Sequence, residues 1–335
     1  MELIEGVALS RLCDYSFGDQ GGQWGNIYTS FMKDANLTNI EFVSKLFNIK
    51  KSRDYMTLFI DNIRLYKRHI VDVKDDDRSI VESLMEKSDL LKLCSNFSDM
   101  KFIIFTNLED TPIDDYIFDL IPDNVLCIFA VNAISHGKKV IPAPYGIQRK
   151  MHLEDIRDEY LKLAMRNTYS HTTKKLLYVS YNEKSHTDRE GTKQIFMNRE
   201  WASVDNQRVN YDEFLFGLRN HQFVLCPRGN AIDCHRNWEV LYMRRVPVMK
   251  RYSYLEELYK DFPVLFVDDY SEITENLLLK NEELFIRSQS MDLIYLSLPH
   301  WFEKMCLKAR FGKVDNSHHH MEENWDEDPS MLEVL

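Results

Sequence analysis

Arg236 and Glu239 are the residues of this sequence whose types and spacing most directly suggest chemistry. A guanidinium presents a fork of N–H groups that matches a phosphate or a carboxylate. Glu239 follows three residues later, which places both side chains on one face of a helix. The alternative is a helix-surface ion pair, which contributes only about 0.3–0.5 kcal/mol. The pair alone leaves both interpretations open.

The segment 223–249 supplies the elements that would position this pair. An apolar run at 223–226 ends in Pro-Arg-Gly-Asn, a helical pattern begins at about Asp233, and a second apolar run follows at 246–249. This order predicts strand, loop, helix and strand. In a parallel α/β sheet such a loop lies at the carboxyl end of its strand, and the following helix points its positive end at the bound group. We therefore predict an anion-binding site.

Composition and charge limit the class of protein. The 335 residues are enough for two domains, and a hydrophobic content of 44% supplies material for two cores. The net charge of −11 argues against a general polyanion binder. No apolar run reaches membrane-spanning length, and the first residues lack the order of a signal peptide. We expect a soluble protein without membrane insertion, in the cytoplasm, or in the host cytoplasm if viral.

The six cysteines are scattered without paired spacing, which favours reduced thiols in the core over a disulfide framework. The nearest pair, Cys226 and Cys234, brackets the loop ahead of the helix, and His235 lies beside it. A metal site there is the alternative.

Strands and helices alternate along the chain, which predicts an α/β fold with parallel sheets. The clearest strands are 56–61, 101–106, 125–131 and 139–147, then 176–181, 223–226, 246–249 and 263–267. A polar helix at 151–168 separates the two series. The predicted domains are 1–150 and 151–312, with the last helix able to pack back on the first domain. A disordered acidic tail is predicted at 313–335.

Three pieces of the second half form a pattern in a fixed order. They are Tyr178-Val179-Ser180 with Thr187-Asp188-Arg189, the strand ending in Pro227-Arg228-Gly229, and Arg236-Asn237-Trp238-Glu239 followed by Val246-Pro247-Val248. Together they resemble the donor-binding motif of the exostosin-like glycosyltransferases. The resemblance implies the GT-B architecture, in which two Rossmann-like domains face each other across a cleft, with 1–150 as the acceptor domain and 151–312 as the nucleotide-sugar-binding domain.

The resemblance also implies roles in holding a nucleotide-diphosphate sugar, with a UDP-sugar favoured and no metal required. Arg236 would bind the diphosphate, and Glu239 would accept hydrogen bonds from the ribose hydroxyls. Arg189 would be a second cation on the diphosphate, with Lys184 as its substitute. The remaining predicted donor residues are Arg228, over the base or bracing the loop, Gly229, for close approach of the backbone, and His235, on a phosphate or a donor hydroxyl or as a helix cap.

The first half is where we place the acceptor and the catalytic base. An inverting transfer, which is implied by the family, needs a carboxylate that takes the proton of the acceptor hydroxyl. The candidates are Asp110, Glu109 and Asp19. Further residues predicted for the acceptor or a cleft loop are Asp14, Gly21, Gly22 and Asn107.

For such a transferase we expect the acceptor to be a glycan or a hydroxymethylated base in bacteriophage-type DNA, and the oligomeric state is open. A basic cluster in the first half would serve as the rim for DNA: Lys50, Lys51, Arg53, Arg64, Lys67, Arg68 and His69. From a different class, a non-catalytic nucleotide or sugar binder with the same fold is the alternative. A dinucleotide-dependent oxidoreductase is disfavoured because no G-x-G-x-x-G follows a strand.

Overall fold

The structure is a computed structural model that describes residues 3–4, 9, 12–16, 40–61, 89–107, 121–133, 139–147, 157–166 and 175–311. It contains two sheets of five parallel strands each. The first sheet consists of β1 (Tyr15–Ser16), β2 (Tyr55–Asp61), β3 (Lys101–Asn107), β4 (Val125–Ala130) and β5 (Val140–Pro142). The second consists of β6 (Lys175–Val179), β7 (Ala202–Val204), β8 (His221–Leu225), β9 (Val246–Lys250) and β10 (Leu265–Val267).

Helices alternate with these strands, and this part of the chain confirms the predicted α/β class. The helices are α1 (Ile40–Lys50), α2 (Asp89–Asn96), α3 (Arg157–Arg166), α4 (Thr192–Phe196), α5 (Tyr211–Arg219), α6 (His235–Tyr242), α7 (Ser253–Tyr259), α8 (Glu275–Lys280), α9 (Glu282–Ser290) and α10 (Leu298–Phe311). Short 3₁₀ turns lie at Glu183–Ser185, Thr187–Arg189, Tyr270–Glu272 and Leu293–Leu296. Among the described helices, none combines the length and the apolar character needed to cross a bilayer.

The first sheet keeps its strands in chain order, β1-β2-β3-β4-β5. Its central strand, β3, contributes four consecutive apolar residues, 102–105, that are all fully buried. A continuous apolar run of this kind is typical of a parallel strand that is covered on both faces. The strand β5 is shorter than predicted because Pro142 and Pro144 have no N–H group for the ladder.

The second sheet has the order β10-β9-β8-β6-β7. The chain moves outward from β6 to β7 in one direction, and then from β8 to β10 in the other. The order therefore reverses between β6 and β8, which is a topological switch point. The edge strand β7 was not predicted from the sequence, since three residues are too few to show a period.

One apolar core connects the two sheets. It contains Phe105 and Phe129 from the first sheet together with Trp238 from α6 and Trp301 from α10. The terminal helix α10 lies on the first sheet, where the ring of Phe302 stacks on Phe105 at 5.0 Å between centroids. The predicted domain boundary at residue 150 and the predicted tail at 313–335 lie outside the described residues and stay predictions.

Candidate functional site

A cavity of about 1160 Å³ lies at the carboxyl edge of the second sheet. Its walls come from the segments that follow β6 (180–193), β7 (206–214) and β8 (229–239), and Tyr145 is its described contribution from the first sheet. The cavity therefore opens beside the switch point, where the loops after β6 and β8 turn away from each other. It exceeds the roughly 300–1,000 Å³ that is usual for small-molecule sites.

Arg236 lies on the first turn of α6 and lines this cavity. Its guanidinium rests over the rings of Phe214 and Tyr181, at 5.6 Å and 5.9 Å from the ring centroids. The Nε atom is buried and has no hydrogen-bond partner among the described residues. A buried donor of a charged group without a partner is costly, which marks Arg236 as a candidate for a functional role at this wall.

Glu239 lies one turn further along α6, is 8% exposed, and lines the same cavity. Its carboxylate accepts a hydrogen bond of 3.0 Å from the hydroxyl of Tyr211 on α5. Within the described part of the chain, Glu239 and Arg236 form no ion pair. The alternative of a surface ion pair therefore does not fit, because Glu239 is buried and the two charges do not meet.

Arg189 lines the cavity as well, but its guanidinium is occupied by the protein. It donates to the backbone carbonyls of Arg228 (2.7 Å), Pro227 (3.0 Å) and Asn182 (3.2 Å). A fourth bond of 2.6 Å goes to the hydroxyl of Ser185. These bonds use four of the five N–H groups of an arginine and join the loop after β6 to the loop after β8.

Arg228 and Gly229 lie in the loop after β8. Arg228 donates to the carbonyls of Gly229 (3.4 Å) and Asn230 (3.2 Å), and it is not among the described residues that line the cavity. Its contacts match the bracing alternative of the prediction. Gly229 packs on Arg189, because an added Cβ atom would lie 3.1 Å from Nη2 of that side chain.

Lys184 and His235 both line the cavity. Lys184 is exposed on the 3₁₀ turn after β6. The Nδ1 atom of His235 lies 2.8 Å from the carbonyl oxygen of Gly146, and its ring packs on Tyr145 at 4.4 Å between centroids. Because a carbonyl only accepts, Nδ1 carries the proton of this bond. His235 therefore ties α6 to the end of the first sheet.

Asp14 does not line the cavity. Its carboxylate accepts from the N–H and the hydroxyl of Thr57, each at 2.7 Å, and pairs with Arg53. Arg53 precedes β2, so this cluster lies toward the amino ends of the strands. The carboxylate of Asp14 is thus held by the start of β2, and its predicted place in the acceptor site or a cleft loop stays a prediction.

The other residues predicted in the first half give no side-chain geometry. Asp110, Glu109, Asp19, Gly21 and Gly22 lie outside the described residues, and Asn107 is described only as the backbone end of β3. Their predicted roles stay predictions.

Asp233, which the sequence interpretation used only as a helix start, is a fully buried junction between the sheets. Its carboxylate accepts from the backbone N–H of Tyr145 (2.9 Å) and the indole N–H of Trp238 (2.8 Å). It also accepts from Asn237 (3.0 Å) and from the hydroxyl of Tyr259. Burial raises the pKa of this carboxyl, and the hydrogen bonds oppose that shift.

Asn132 and Lys193 were also missed. Asn132 follows β4 with a φ of 56°, and its side-chain oxygen accepts from the N–H groups of Ile232 (3.1 Å) and Asp233 (3.0 Å). Lys193 lies at the start of α4, 5% exposed, and lines the cavity. Neither residue belongs to a local motif. The only signal in the sequence is an apolar strand followed by an asparagine in the first case, and none in the second.

The thiols near the loop after β8 behave as core groups. The sulfur of Cys234 accepts from the N–H of Gly229 at 3.1 Å, and burial raises the pKa of both Cys226 and Cys234. The described residues contain no cluster of three or more side chains suited to a metal ion. The metal alternative therefore has no described ligand set.

No protein-family model matches this chain, and no curated protein sequence matches it either.

Proposed function

We propose that this protein is a glycosyltransferase that moves a sugar from a nucleotide-diphosphate sugar to an acceptor hydroxyl. The observation that carries the proposal is the guanidinium of Arg236, which lies at the wall of a cavity of about 1160 Å³ and whose buried Nε atom has no acceptor among the described residues. The position of this cavity at the switch point of a parallel sheet supports a nucleotide ligand. The resemblance of the second half to exostosin-like glycosyltransferases supports the reaction, and with it a GT-B arrangement of two Rossmann-like domains.

In this proposal the diphosphate of the donor, a UDP-sugar by preference, lies against Arg236 and the amino end of α6. Negative charge grows on the diphosphate as its bond to the anomeric carbon breaks, and a fixed guanidinium stabilises it without reorganisation. Glu239, held by the hydroxyl of Tyr211, accepts hydrogen bonds from the ribose. In this proposal Arg236 therefore binds the diphosphate and Glu239 binds the ribose.

The transfer itself forms a bond between the acceptor oxygen and the anomeric carbon, while the diphosphate departs with the electron pair. The proton of the acceptor hydroxyl goes to a carboxylate. Asp110, Glu109 and Asp19 remain our candidates for that carboxylate.

Between the two acceptor classes, the described part of the basic cluster favours a glycan. Two of its three described members form ion pairs, Lys50 with Asp99 and Arg53 with Asp14, while Lys51 is exposed and has no ion pair among the described residues. Both paired basic residues lie next to the amino ends of strands of the first sheet and are neutralised there. A basic rim for DNA would have to come from elsewhere in the chain.

The experiment is a thermal-shift and calorimetric comparison with UDP, GDP and pyrophosphate. Arg236→Ala should weaken the binding of all three ligands by at least about 2 kcal/mol, roughly thirtyfold in Kd, because it removes a charge-assisted contact to phosphate. Glu239→Gln should weaken the binding of the nucleotides and leave the binding of pyrophosphate unchanged, because pyrophosphate has no ribose. Arg199→Ala is the matched control, since Arg199 is exposed and away from the cavity.

Absence of binding for every nucleotide and for pyrophosphate would overturn the proposal. If the nucleotides bind but no UDP-sugar or GDP-sugar is hydrolysed or transferred to any acceptor, the non-catalytic binder is correct. A gel shift with hydroxymethylated and unmodified duplexes then decides whether DNA is an acceptor.

A further inference from the structure

Lys193 is a lysine in the cavity wall that forms no salt bridge with any of the described residues. Its Nζ atom donates one hydrogen bond, of 2.5 Å, to the backbone carbonyl of Asp205. The carboxylate of Asp205 accepts a hydrogen bond from the hydroxyl of Tyr178. An ammonium has three N–H groups, so two of them are left for a ligand.

Lys193 and Arg236 approach the same aromatic ring from two different helices. Nζ of Lys193 lies 5.3 Å from the centroid of Tyr181, and the guanidinium carbon of Arg236 lies 5.9 Å from it. Tyr181 is itself buried, so the ring fixes both cations at the wall. Two like charges held at one ring repel each other, and an anion that contacts both removes that cost.

Arg189 also lies over this ring, at 5.5 Å, but its situation differs. Four of its N–H groups are committed to the loops after β6 and β8. A ligand that took these donors would leave loop carbonyls without partners. Arg189 is thus suited to hold the two loops together and is poorly suited to bind phosphate.

We infer that Lys193 and Arg236 form a two-cation clamp for the diphosphate, and that Arg189 is a positioning residue for the loops around it. This inference rests on the proposed function and revises the residue set that the sequence suggested. Two adjacent cations match a ligand that carries at least two negative charges, such as a diphosphate, and Glu183, which also lines the cavity, opposes that binding through its own negative charge. Pyrophosphate is the smallest probe of that class.

The test measures pyrophosphate binding by calorimetry on the full chain. Lys193→Met should raise Kd roughly tenfold or more, because a charged hydrogen-bond donor is lost. Lys193→Arg should stay within about threefold of the wild type, since it restores the charge. Lys175→Met is the matched control: Lys175 also donates to a backbone carbonyl, that of Ala202 at 3.1 Å, but lies away from the cavity.

Lys193→Gln separates binding from folding. The amide keeps a donor for the carbonyl of Asp205 while lacking the charge, so it should retain the melting temperature and lose pyrophosphate affinity as Lys193→Met does. Arg189→Met should show the reverse pattern, in which the main effect is on stability: the melting temperature should fall clearly in the absence of ligand.

The outcomes distinguish this inference from the proposed function. Suppose that the wild type binds pyrophosphate and that Arg236→Ala does not. If the Kd of both Lys193→Met and Lys193→Gln then stays within twofold of the wild type, the two-cation clamp is wrong and the proposed donor site stands. If Arg189→Met binds pyrophosphate tenfold more weakly at an unchanged melting temperature, Arg189 is the second cation. If the wild type binds neither pyrophosphate nor a nucleotide, both proposals fall.

Discussion

At the carboxyl edge of the second sheet, the loops after β6 and β8 diverge around a cavity. At the carboxyl edge of the first sheet, the loops after β4 and β5 bond to the segment ahead of α6 and to its first residue, through Asn132, Tyr145 and Gly146. The strand order accounts for the contrast, because only the second sheet reverses direction among the described strands. Among the described loops, those after β4 and β5 of the first sheet support α6, and those after β6 and β8 of the second sheet surround the cavity.

The charges around the cavity strengthen this contrast. Its described lining carries five lysine or arginine residues against two glutamates: Lys184, Arg189, Lys193, Arg208 and Arg236 against Glu183 and Glu239. The whole chain has a net charge of −11. A local positive surface in an acidic protein draws in small anions while it repels long polyanions.

The largest loss of stability is expected at Asp233, where the carboxyl edges of the two sheets meet. Asp233→Ala would leave four donors without their acceptor, including the N–H of Tyr145 from the first sheet and the indole N–H of Trp238 from α6. We expect a loss of about 3–5 kcal/mol in the free energy of unfolding. Urea denaturation measures it.

The control for this variant is Asp292→Ala. Asp292 is an exposed carboxylate that accepts from the N–H of Ile294 at 2.9 Å at the start of a 3₁₀ turn. It should cost at most about 1 kcal/mol. A similarly small loss for Asp233→Ala would show that the first sheet's edge does not support α6.

A smaller effect is expected within the second sheet, at the contact of α5 with β6. A Cβ atom at Gly217 would lie 2.2 Å from the ring of Tyr178, the residue whose hydroxyl donates a hydrogen bond to Asp205. Gly217→Ala should cost roughly 1–3 kcal/mol of unfolding free energy by overpacking. Thermal and urea unfolding both report it.

The double variant with Tyr178→Val isolates the cause. With the ring removed, Gly217→Ala should cost clearly less than it does in the wild type, so the two substitutions are coupled. Strict additivity would mean that the glycine is needed for its backbone and not for the space beside the ring.

The smallest effect concerns pH. His221 is buried, with Nδ1 2.7 Å from the carbonyl of Gly217 and Nε2 2.8 Å from the hydroxyl of Ser203, and burial lowers its pKa. The folded state then favours the neutral ring, so its contribution is complete above the unfolded pKa of about 6.5 and is lost as the pH falls below it. Between pH 7.5 and pH 5.5, the free energy of unfolding of the wild type should fall by up to about 1 kcal/mol more than that of His221→Gln.

Urea unfolding of both proteins at the two pH values gives this difference, and other titrating groups cancel because both proteins carry them. Parallel pH profiles would contradict the assignment of a neutral buried ring to His221.

The elements with strong local signals were predictable. The apolar run at 101–106 became β3, and Tyr211–Arg219 formed the helix α5, whose start is fixed by the side chain of Asn210 and by Glu213. The edge strand β7 was missed because its pairing with β6 supplies what its sequence lacks. Asp233 was missed because two of its four partners, Tyr259 and Tyr145, lie 26 residues after it and 88 residues before it, a range that no local pattern reports.

The sequence by itself determined that strands and helices alternate, and that Arg236 and Glu239 share one helix face behind an apolar strand. Only the tertiary structure decided which cations are available. Arg189 and Arg236 are the same residue type near the same ring, yet loop carbonyls 38 and 39 residues away occupy the first, while Nε of the second stays without a described partner. The reason is physical: a guanidinium can bind a ligand only with donors that the surrounding backbone has not already taken.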